Sequence, residues 1–443
     1  MKAYYQAFCR AAQAAGITRL NFYMEERLSR SLAVYEGALE RLERAEQRQL
    51  FVEGEVDGLC GSVFVEQSDP ALIPDQIRCI LDSAQALQTP FVPYELDGLD
   101  RRPDVDYHFT DLERTVTAMC QGEQAAYDAD ERIVPGVQVS VTELGFRYTL
   151  MDERGNYATD VTMGGSCGVR LAARQGEQVQ PGGVMKPFHA DNNPRLAEMA
   201  RAAAAEAVSR LDAGSYATGT FPVVLESKVV GELLDAFMPA FFAKNVHSGM
   251  SVLAGREGGQ VAGENITICE DPTLAGGFRV RRFDDEGVAT TAKEIVSAGR
   301  LNCLLHNRQT ARAAGCAGGN GFKANFNEPV STGYTNVYIR PGGHSLDELL
   351  EQMGQGLLIT EVSGVFAGAR PNSGVFSLIA QGYRVEGGKR GRAVTQITIA
   401  GNFFDLLGKV VAVGSDEHWK RAAAGCVRTP SLYVSEVAIS GKE

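Results

Sequence analysis

The sequence predicts an α+β fold, in which an N-terminal antiparallel sheet carries helices and a mostly-β C-terminal domain follows. In the first half of the chain, some segments have apolar residues at helical spacing. Between them lie short segments in which apolar and polar residues alternate, as in a strand. In the second half, glycine turns recur between short β-branched segments, which is typical of a barrel or a sandwich. One apolar helix near residue 235 interrupts this β-rich half, and we expect it to be buried.

Residues 1–213 are predicted to form the N-terminal region, with a first segment at about 1–90 and a middle segment at about 105–213. In the first segment, residues 2–15 have helical spacing and end at Gly16, and a second helix covers 72–87. Strands are expected between these helices at 30–35, 48–53 and 58–66. Residues 88–103 contain three prolines and are interpreted as a linker or a long loop.

In the middle segment, residues 137–142 alternate strictly between apolar and polar, which predicts a strand with one wet face. Residues 161–173 are interrupted by glycines and are interpreted as a pair of strands. Helices are expected at 111–126 and at 194–211, the second of which is rich in alanine.

The C-terminal domain is predicted to cover residues 214–443. It opens with a short apolar strand, Val223–Leu225, that leads into the buried helix at 228–244. Later strands are expected at 335–339, 374–383, 393–399 and 432–439, and a short helix at 345–353. The basic residues 389–392 are interpreted as a solvated hairpin turn.

Four separated motifs occur in this half of the chain. They are Leu233 to Ala240 on the helix, Gly333-Tyr334-Thr335-Asn336 with Arg340-Pro341-Gly342, Asn372-Ser373-Gly374-Val375-Phe376-Ser377, and Thr398-Ile399-Ala400-Gly401-Asn402. In sequence and in order they resemble the TldD/PmbA family. The helix–strand–strand–strand–helix block at the N-terminus is similar to the first segment of that family.

The resemblance makes the buried helix the informative stretch. In the metal-binding branch of the family, the helix opens with His-Glu and carries a second His about one turn later, so that the His pair binds zinc and the Glu is the general base. Here Asp235, Ala236 and Ala240 occupy those positions, and Asp416 stands at about the place of a cysteine that completes the site. The resemblance therefore implies the PmbA/TldE branch, a degenerate metal site, and no metal or other cofactor on this chain.

Without the resemblance, the same stretch is a buried helix with an apolar stripe and no site. The residues also leave open a hard-cation site formed by Asp235, Asp416 and Glu417. Four histidines are further candidate ligands, His247, His306, His344 and His418. They lack ligand spacing, and surface or capping roles are the simpler interpretation.

A peptide groove is a further expectation for the C-terminal domain. Glycines at Gly318 and Gly319 would let a bound backbone approach closely, and an exposed sheet edge can accept an extended peptide as an added strand. His247, which follows the helix, and Asn336 of the second motif are candidates to line the same groove.

Composition excludes several classes of protein. The net charge of −12 disfavours a nucleic-acid binder, and no segment has the roughly 20 apolar residues of a membrane span. Nine scattered cysteines without CxxC spacing, and a start that lacks the apolar segment of a signal peptide, predict reduced thiols and a cytoplasmic location. The motifs of serine hydrolases and of Rossmann dinucleotide binding are absent from the sequence.

The resemblance implies a non-catalytic subunit of a cytosolic peptidase that processes or degrades small and unfolded peptides. A TldD-like sibling would then bring the zinc and the general base. The first alternative is a peptide-binding or regulatory homodimer, which is the class of the family's older label, modulator of DNA gyrase. The second is a divergent metallopeptidase that acts alone.

Overall fold

The computed structural model describes residues 2–99, 108–188, 195–326, 328–422 and 425–442. Its N-terminal region is built on a curled six-stranded antiparallel sheet with the strand order β3-β2-β1-β4-β5-β6. The strands are β1 (Leu20–Tyr35), β2 (Ala38–Val56), β3 (Leu59–Val65), β4 (Gln138–Asp152), β5 (Tyr157–Gln175) and β6 (Gln178–Phe188).

Two pairs of helices cover opposite ends of this sheet, and each pair buries its own apolar cluster. The first pair packs on Phe22 and Val52, and the second pair packs on Val139 and Val169. The helices are α1 (Lys2–Ala14), α2 (Ile73–Leu87), α3 (Leu112–Tyr127) and α4 (Leu196–Ser209), with a 3-10 turn at Pro70–Leu72 before α2. The predicted helices of both segments are therefore present.

The strands of this sheet are longer than the sequence pattern predicts. Strand β1 pairs with β2 over its whole length, although most of β2 before residue 49 is exposed. Backbone hydrogen bonds to a neighbour hold such a strand, and they leave no periodic apolar signal. The expectation of two strands at 161–173 is wrong, because β5 runs through its glycines as a single strand.

A closed barrel forms the centre of the C-terminal domain. Its strands pair in the order β14-β7-β21-β17-β16, and β16 pairs back to β14. The barrel strands are β7 (Gly219–Leu225), β14 (Gly356–Ser363), β16 (Val375–Glu386), β17 (Lys389–Asn402) and β21 (Leu432–Ser440), with β15 (Ala369–Arg370) and β18 (Val410–Val413) at its margins. The predicted α+β class is confirmed, and the β-rich half is a barrel rather than a sandwich.

A second sheet lies beside the barrel with the order β10-β9-β8-β13-β20-β19, and β11 pairs with β12 as a separate ribbon. These strands are β8 (Ile268–Glu270), β9 (Lys293–Ser297), β10 (Arg300–Leu301), β11 (Gly321–Lys323), β12 (Val330–Thr332), β13 (Asn336–Ile339), β19 (His418–Arg421) and β20 (Cys426–Thr429). The helices of this half are α5 (Ser227–Phe237), α6 (Ala243–His247), α7 (Arg308–Ala314), α8 (Leu346–Met353), α9 (Val365–Gly368) and α10 (Phe403–Gly408), with a 3-10 turn at Met238–Phe241.

Helix α5 lies between the barrel and the second sheet and is the predicted buried helix. It packs on barrel strand β14 and on strands β19 and β20 of the second sheet. Its residues Val229, Leu233 and Phe237 are almost fully buried in one apolar cluster that contains side chains of both sheets. Burial of this stripe is the main source of the helix's stability.

The loop at 271–292 joins the C-terminal domain to the N-terminal sheet. Asp160 of β5 is fully buried and accepts hydrogen bonds from the backbone N–H and from the Nη1 of Arg282, both at 2.6 Å. The Phe278 ring packs against Gly164, where the missing side chain makes room for it. These contacts bring the two halves together along one boundary.

No helix in the described ranges combines the length and the apolar content that a bilayer crossing requires. The domain boundary that we expect near residue 213 stays a prediction.

Candidate functional site

The first turn of helix α5 is fixed by contacts from the end of the chain. The N–H of Ser227 donates to the Oγ of Ser431, and the carbonyl of Ser227 accepts from the Oγ1 of Thr429. An N–H at the start of a helix has no partner within the helix, and here the side chain of Ser431, which immediately precedes β21, accepts its hydrogen bond. The outer face of the helix then presents Glu232 and Asp235.

Asp235 is held by a lysine and a tyrosine. The Nζ of Lys420 on β19 lies 2.9 Å from Asp235 and 2.7 Å from Glu232, and the hydroxyl of Tyr334 donates to Asp235. Burial alone would lower the pKa of Lys420, but Asp235 and Glu232 outweigh it and raise that pKa. Lys420 therefore stays charged and joins two carboxylates. Burial, with Asp235 second, raises the pKa of Tyr334, which keeps this hydroxyl a donor.

Ala236 and Ala240 carry no group that could bind a metal or transfer a proton. Ala236 is half-buried against the apolar core, and Ala240 is almost fully buried. Ala240 does not belong to helix α5, which ends at Phe237 and is followed by a 3-10 turn. The expectation of one continuous helix at 228–244 is wrong, because Pro239 has no N–H to continue it and its ring would clash with the carbonyl of Asp235.

Asp416 and Glu417, the other two carboxylates of the candidate hard-cation site, have partners of their own. Asp416 accepts from the N–H and the hydroxyl of Ser431, at 3.1 and 2.7 Å, and Glu417 pairs with Arg428 at 3.2 Å. Within the described ranges, no group of three or more His, Cys, Asp or Glu side chains is arranged to hold a metal ion. The side chains at the family's metal positions therefore do not fit a zinc ion, which needs at least three protein ligands.

Cys426 is fully buried on β20. Burial raises its pKa to about 12, so it is not a thiolate at neutral pH. All nine cysteines are free thiols in the structure.

The four residues suggested for a groove lie in different surroundings. His247 is exposed at the end of α6, with its ring 5.8 Å from that of His306. Gly318 and Gly319 follow α7, and Gly319 has a φ of 101° and lies close to the carbonyl of Ala289. The amide of Asn336 is fully buried and donates to the carbonyls of residues 271 and 279. The groove role of these residues stays a prediction.

A cleft of about 530 Å³ separates the curled sheet from the C-terminal domain, and we call it the basic cleft. Its floor is formed by β1, β2, β4 and β5, and its other wall by residues around Arg279, Lys323 and Arg421. No local pattern in the sequence indicates this cleft, because its lining comes from segments that are far apart along the chain.

A second cleft lies around His418 and has two lobes of about 470 and 700 Å³, and we call it the His418 cleft. Both lobes are lined by Gly183, Met185, Lys228 and His418. Burial, with the charges of Lys228 and Lys186 next, lowers the pKa of His418 to about 4. This histidine is therefore neutral at physiological pH, and it is neither a capping nor a simple surface residue.

Comparison with known proteins identifies the family. A protein-family model described as the PmbA/TldA metallopeptidase C-terminal domain matches residues 218–441. The chain belongs to the PmbA/TldD family. A metalloprotease from Archaeoglobus fulgidus is 35% identical over 195 residues, which are 44% of this chain and 45% of that protein. A metalloprotease PmbA homolog from Haemophilus influenzae is 28% identical over 424 residues, with 87% and 86% covered.

Solved structures agree with this family assignment. A Thermotoga maritima protein described as a modulator of a DNA gyrase has a TM-score of 0.87 at 28% identity, covering 99% of this chain and all of that one. TldE from Thermococcus kodakarensis has a TM-score of 0.83 at 18% identity, which shows the fold alone. The PmbA-named relatives place the chain in the PmbA/TldE branch. The matches span about half the length of the first archaeal relatives.

Proposed function

We propose that this chain is a subunit of a cytoplasmic peptidase complex that lacks a zinc site of its own, and that a TldD-like sibling supplies the zinc and the general base. The observation that carries the proposal is the ion pair of Lys420 with Asp235 and Glu232. A fixed ammonium here gives two carboxylates the positive charge that a divalent cation would otherwise provide.

The neighbouring positions support the same conclusion. A zinc ion would have to displace a hydrogen-bonded lysine and would find one ligand, Asp235, among the three family positions on this stretch. Ala236 cannot act as a general base where the metal-binding branch has Glu. The chain would contribute walls that hold an extended or unfolded peptide, and the two clefts at the domain boundary are suited to that task.

The relatives' names support the peptidase class, since several are called metalloproteases. The Thermotoga neighbour's description as a modulator of a DNA gyrase supports a second candidate, a peptide-binding regulatory homodimer. With a net charge of −12, such a regulator would contact protein rather than the phosphate backbone of DNA.

A reconstitution experiment tests the proposal. The purified chain is mixed with a sibling from the same genome that carries the His-Glu-x-x-x-His motif, and cleavage of an unstructured peptide is followed by mass spectrometry. We expect the two chains to co-elute and the mixture to cleave. The matched control is the sibling with its motif Glu replaced by Gln, which should co-elute without cleavage.

Three results would contradict the proposal. The first is cleavage by the lone chain at the rate of the mixture, and the second is one firmly held zinc per chain by metal analysis. The third is a homodimer that never exchanges with the sibling, which would favour the regulatory candidate.

A further inference from the structure

The basic cleft has an excess of positive charge, although the whole chain has a net charge of −12. Its lining carries four basic side chains and one carboxylate, Glu25. The basic residues are Arg27, Arg279, Lys323 and Arg421. Burial, with the charge of Asp285 second, raises the pKa of Glu25, so its ionised form is disfavoured. A concave site with this balance of charge attracts anions.

Two guanidinium groups, those of Arg27 and Arg421, line this cleft without an ion pair to a described carboxylate. The Nε of Arg27 is buried and has no hydrogen-bond partner among the described residues. Loss of hydration, with the charge of Arg27 second, lowers the pKa of Arg421. No carboxylate in the described ranges forms an ion pair with either group. Because a buried donor without a partner is costly and like charges repel, an anion placed between them would relieve both penalties.

Lys323 has other partners and plays a smaller part. Its ammonium donates to the carbonyl of Glu328 at 2.8 Å and lies 3.7 Å from the centre of the Phe51 ring. The positive charge that the proposal uses is therefore that of Arg27 and Arg421.

The floor of the cleft adds groups that suit a peptide. In the strand register, Arg27 lies opposite Gln47 on β2 and opposite Phe146 on β4. Glu25 lies in the next row, opposite Gln49 and Tyr148. Residues two apart on a strand share a face, so both rows line the same side of the sheet. Amide side chains and aromatic rings beside guanidinium groups offer contacts to a peptide backbone and to its side chains.

We propose that the basic cleft is a subsite for a carboxylate of a bound peptide, held between Arg27 and Arg421. The inference rests on the proposed function and adds a substrate preference to it: peptides with an acidic side chain or with a free C-terminal carboxylate. The planar fork of a guanidinium matches the two oxygens of a carboxylate, which a single ammonium does not. A carboxylate here needs no metal and no partner chain.

Direct binding to the lone chain tests the subsite. Three labelled, unstructured peptides of otherwise identical sequence are titrated by fluorescence anisotropy at low and at physiological salt. One has a central Asp and an amidated C-terminus, one has a central Asn and an amidated C-terminus, and one has a central Asn and a free C-terminus. We expect at least one carboxylate peptide to bind about tenfold more tightly than the amidated Asn peptide, a difference of roughly 1.4 kcal/mol.

The two carboxylate peptides distinguish the source of the anion. A preference for the Asp peptide assigns the subsite to an acidic side chain, and a preference for the free C-terminus assigns it to the chain end. Equal affinity for all three peptides, or binding of none, would overturn the subsite. The reconstitution assay judges the proposed function separately, because it measures co-elution and cleavage with the sibling, whereas this titration uses the lone chain.

Variants of the two arginines test whether these residues cause the preference for carboxylate peptides. Arg421→Gln and Arg27→Gln are expected to remove it while changing the affinity for the amidated Asn peptide by less than about twofold. The matched control is Arg78→Gln, which removes one exposed charge from the outer face of α2. An equal loss with the control would assign the effect to net charge and overturn the site. Arg421 lies at the rim, so its variant decides the matter if Arg27→Gln fails to fold. Arg421→Glu should instead favour a peptide with a central Lys.

Discussion

His418 and Lys420 lie two residues apart on β19. Their pKa values shift in opposite directions, because their neighbouring charges have opposite signs. Both lose hydration in the structure. Two carboxylates face Lys420 and raise its pKa, whereas Lys228 and Lys186 face His418 and lower its pKa to about 4. The same strand thus presents a permanent cation beside helix α5 and a neutral imidazole to the His418 cleft.

The low pKa of His418 predicts sensitivity to acid. Its ordinary value is 6.5 and its value in the fold is about 4, so below pH 6.5 the unfolded chain binds the proton more readily. The free energy of unfolding therefore falls as the pH drops from 6.5 towards 4, and at pH 5 the loss is about 2 kcal/mol. His418→Gln should remove this part of the acid sensitivity, as measured by urea unfolding at pH 5 and at pH 7.5.

The groups that face His418 set the control for this measurement. Lys228, Lys186 and Lys420 disfavour its charged form, and Asp416 favours it. His344→Gln makes the same replacement at an exposed position outside the cleft. If His344→Gln removed as much acid sensitivity as His418→Gln, the assignment to His418 would be wrong.

At the scale of elements, helices α2 and α4 pack on the two edge strands of the curled sheet, β3 and β6. Each contact is made at a glycine of the strand. A Cβ at Gly61 of β3 would lie 1.9 Å from the carbonyl oxygen of Ile80 in α2. A Cβ at Gly182 of β6 would lie 2.2 Å from the carbonyl oxygen of Ala203 in α4. Each helix backbone therefore approaches its strand more closely than any larger residue permits.

Gly61→Ala should consequently force α2 away from the sheet. We expect a loss of at least about 2 kcal/mol of stability, because the clash is with backbone and cannot be relieved by a rotamer change. Thermal unfolding measures the change. The matched control is Gly343→Ala, where no atom lies within 4 Å of the added methyl group and φ is not positive. A Gly61→Ala variant as stable as that control would show that the helix position is not set by this contact.

At the scale of the whole molecule, Asp160 connects the two halves. Its fully buried carboxylate accepts two hydrogen bonds from Arg282 and one from the N–H of Val161. A second tie runs from the Nη1 of Arg308 to the carbonyl of Pro93 at 2.6 Å. Because the basic cleft lies along this boundary, the docking of the halves also determines the shape of the cleft.

Asp160→Asn should loosen this docking. The amide presents an NH₂ group to donors of Arg282 and leaves a guanidinium without its charge partner, at a cost of about 2–4 kcal/mol. We expect faster hydrogen exchange in residues 278–290, measured by mass spectrometry. Asp82→Asn is the matched control at an exposed position on α2. Unchanged exchange in the Asp160 variant would show that apolar contacts such as Phe278 on Gly164 hold the boundary without it.

The sequence by itself determined the local helices and strands. It also determined that the stretch around helix α5 lacks metal ligands and a general base at Ala236 and Ala240. Periodicity predicted strands β16 and β17, helix α8 and the buried stripe of α5, because neighbours along the chain set these features. The hairpin turn expected at 389–392 lies instead at Gly387 and Gly388, and 389–392 belong to β17. That Ala236 and Ala240 offer no ligand follows from their identity alone. The break at Pro239 was also readable from the sequence, but the apolar stripe led to a longer helix.

Only the tertiary structure decided what surrounds these elements. The closure of the barrel, the ion pair of Lys420 with Asp235 across 185 residues, and the placement of Arg27 and Arg421 in one cleft all join distant segments. Polar and charged residues on irregular or exposed strands leave no periodic signal that could pair them. Their positions depend on how the apolar faces of both sheets pack, and no local pattern specifies that packing.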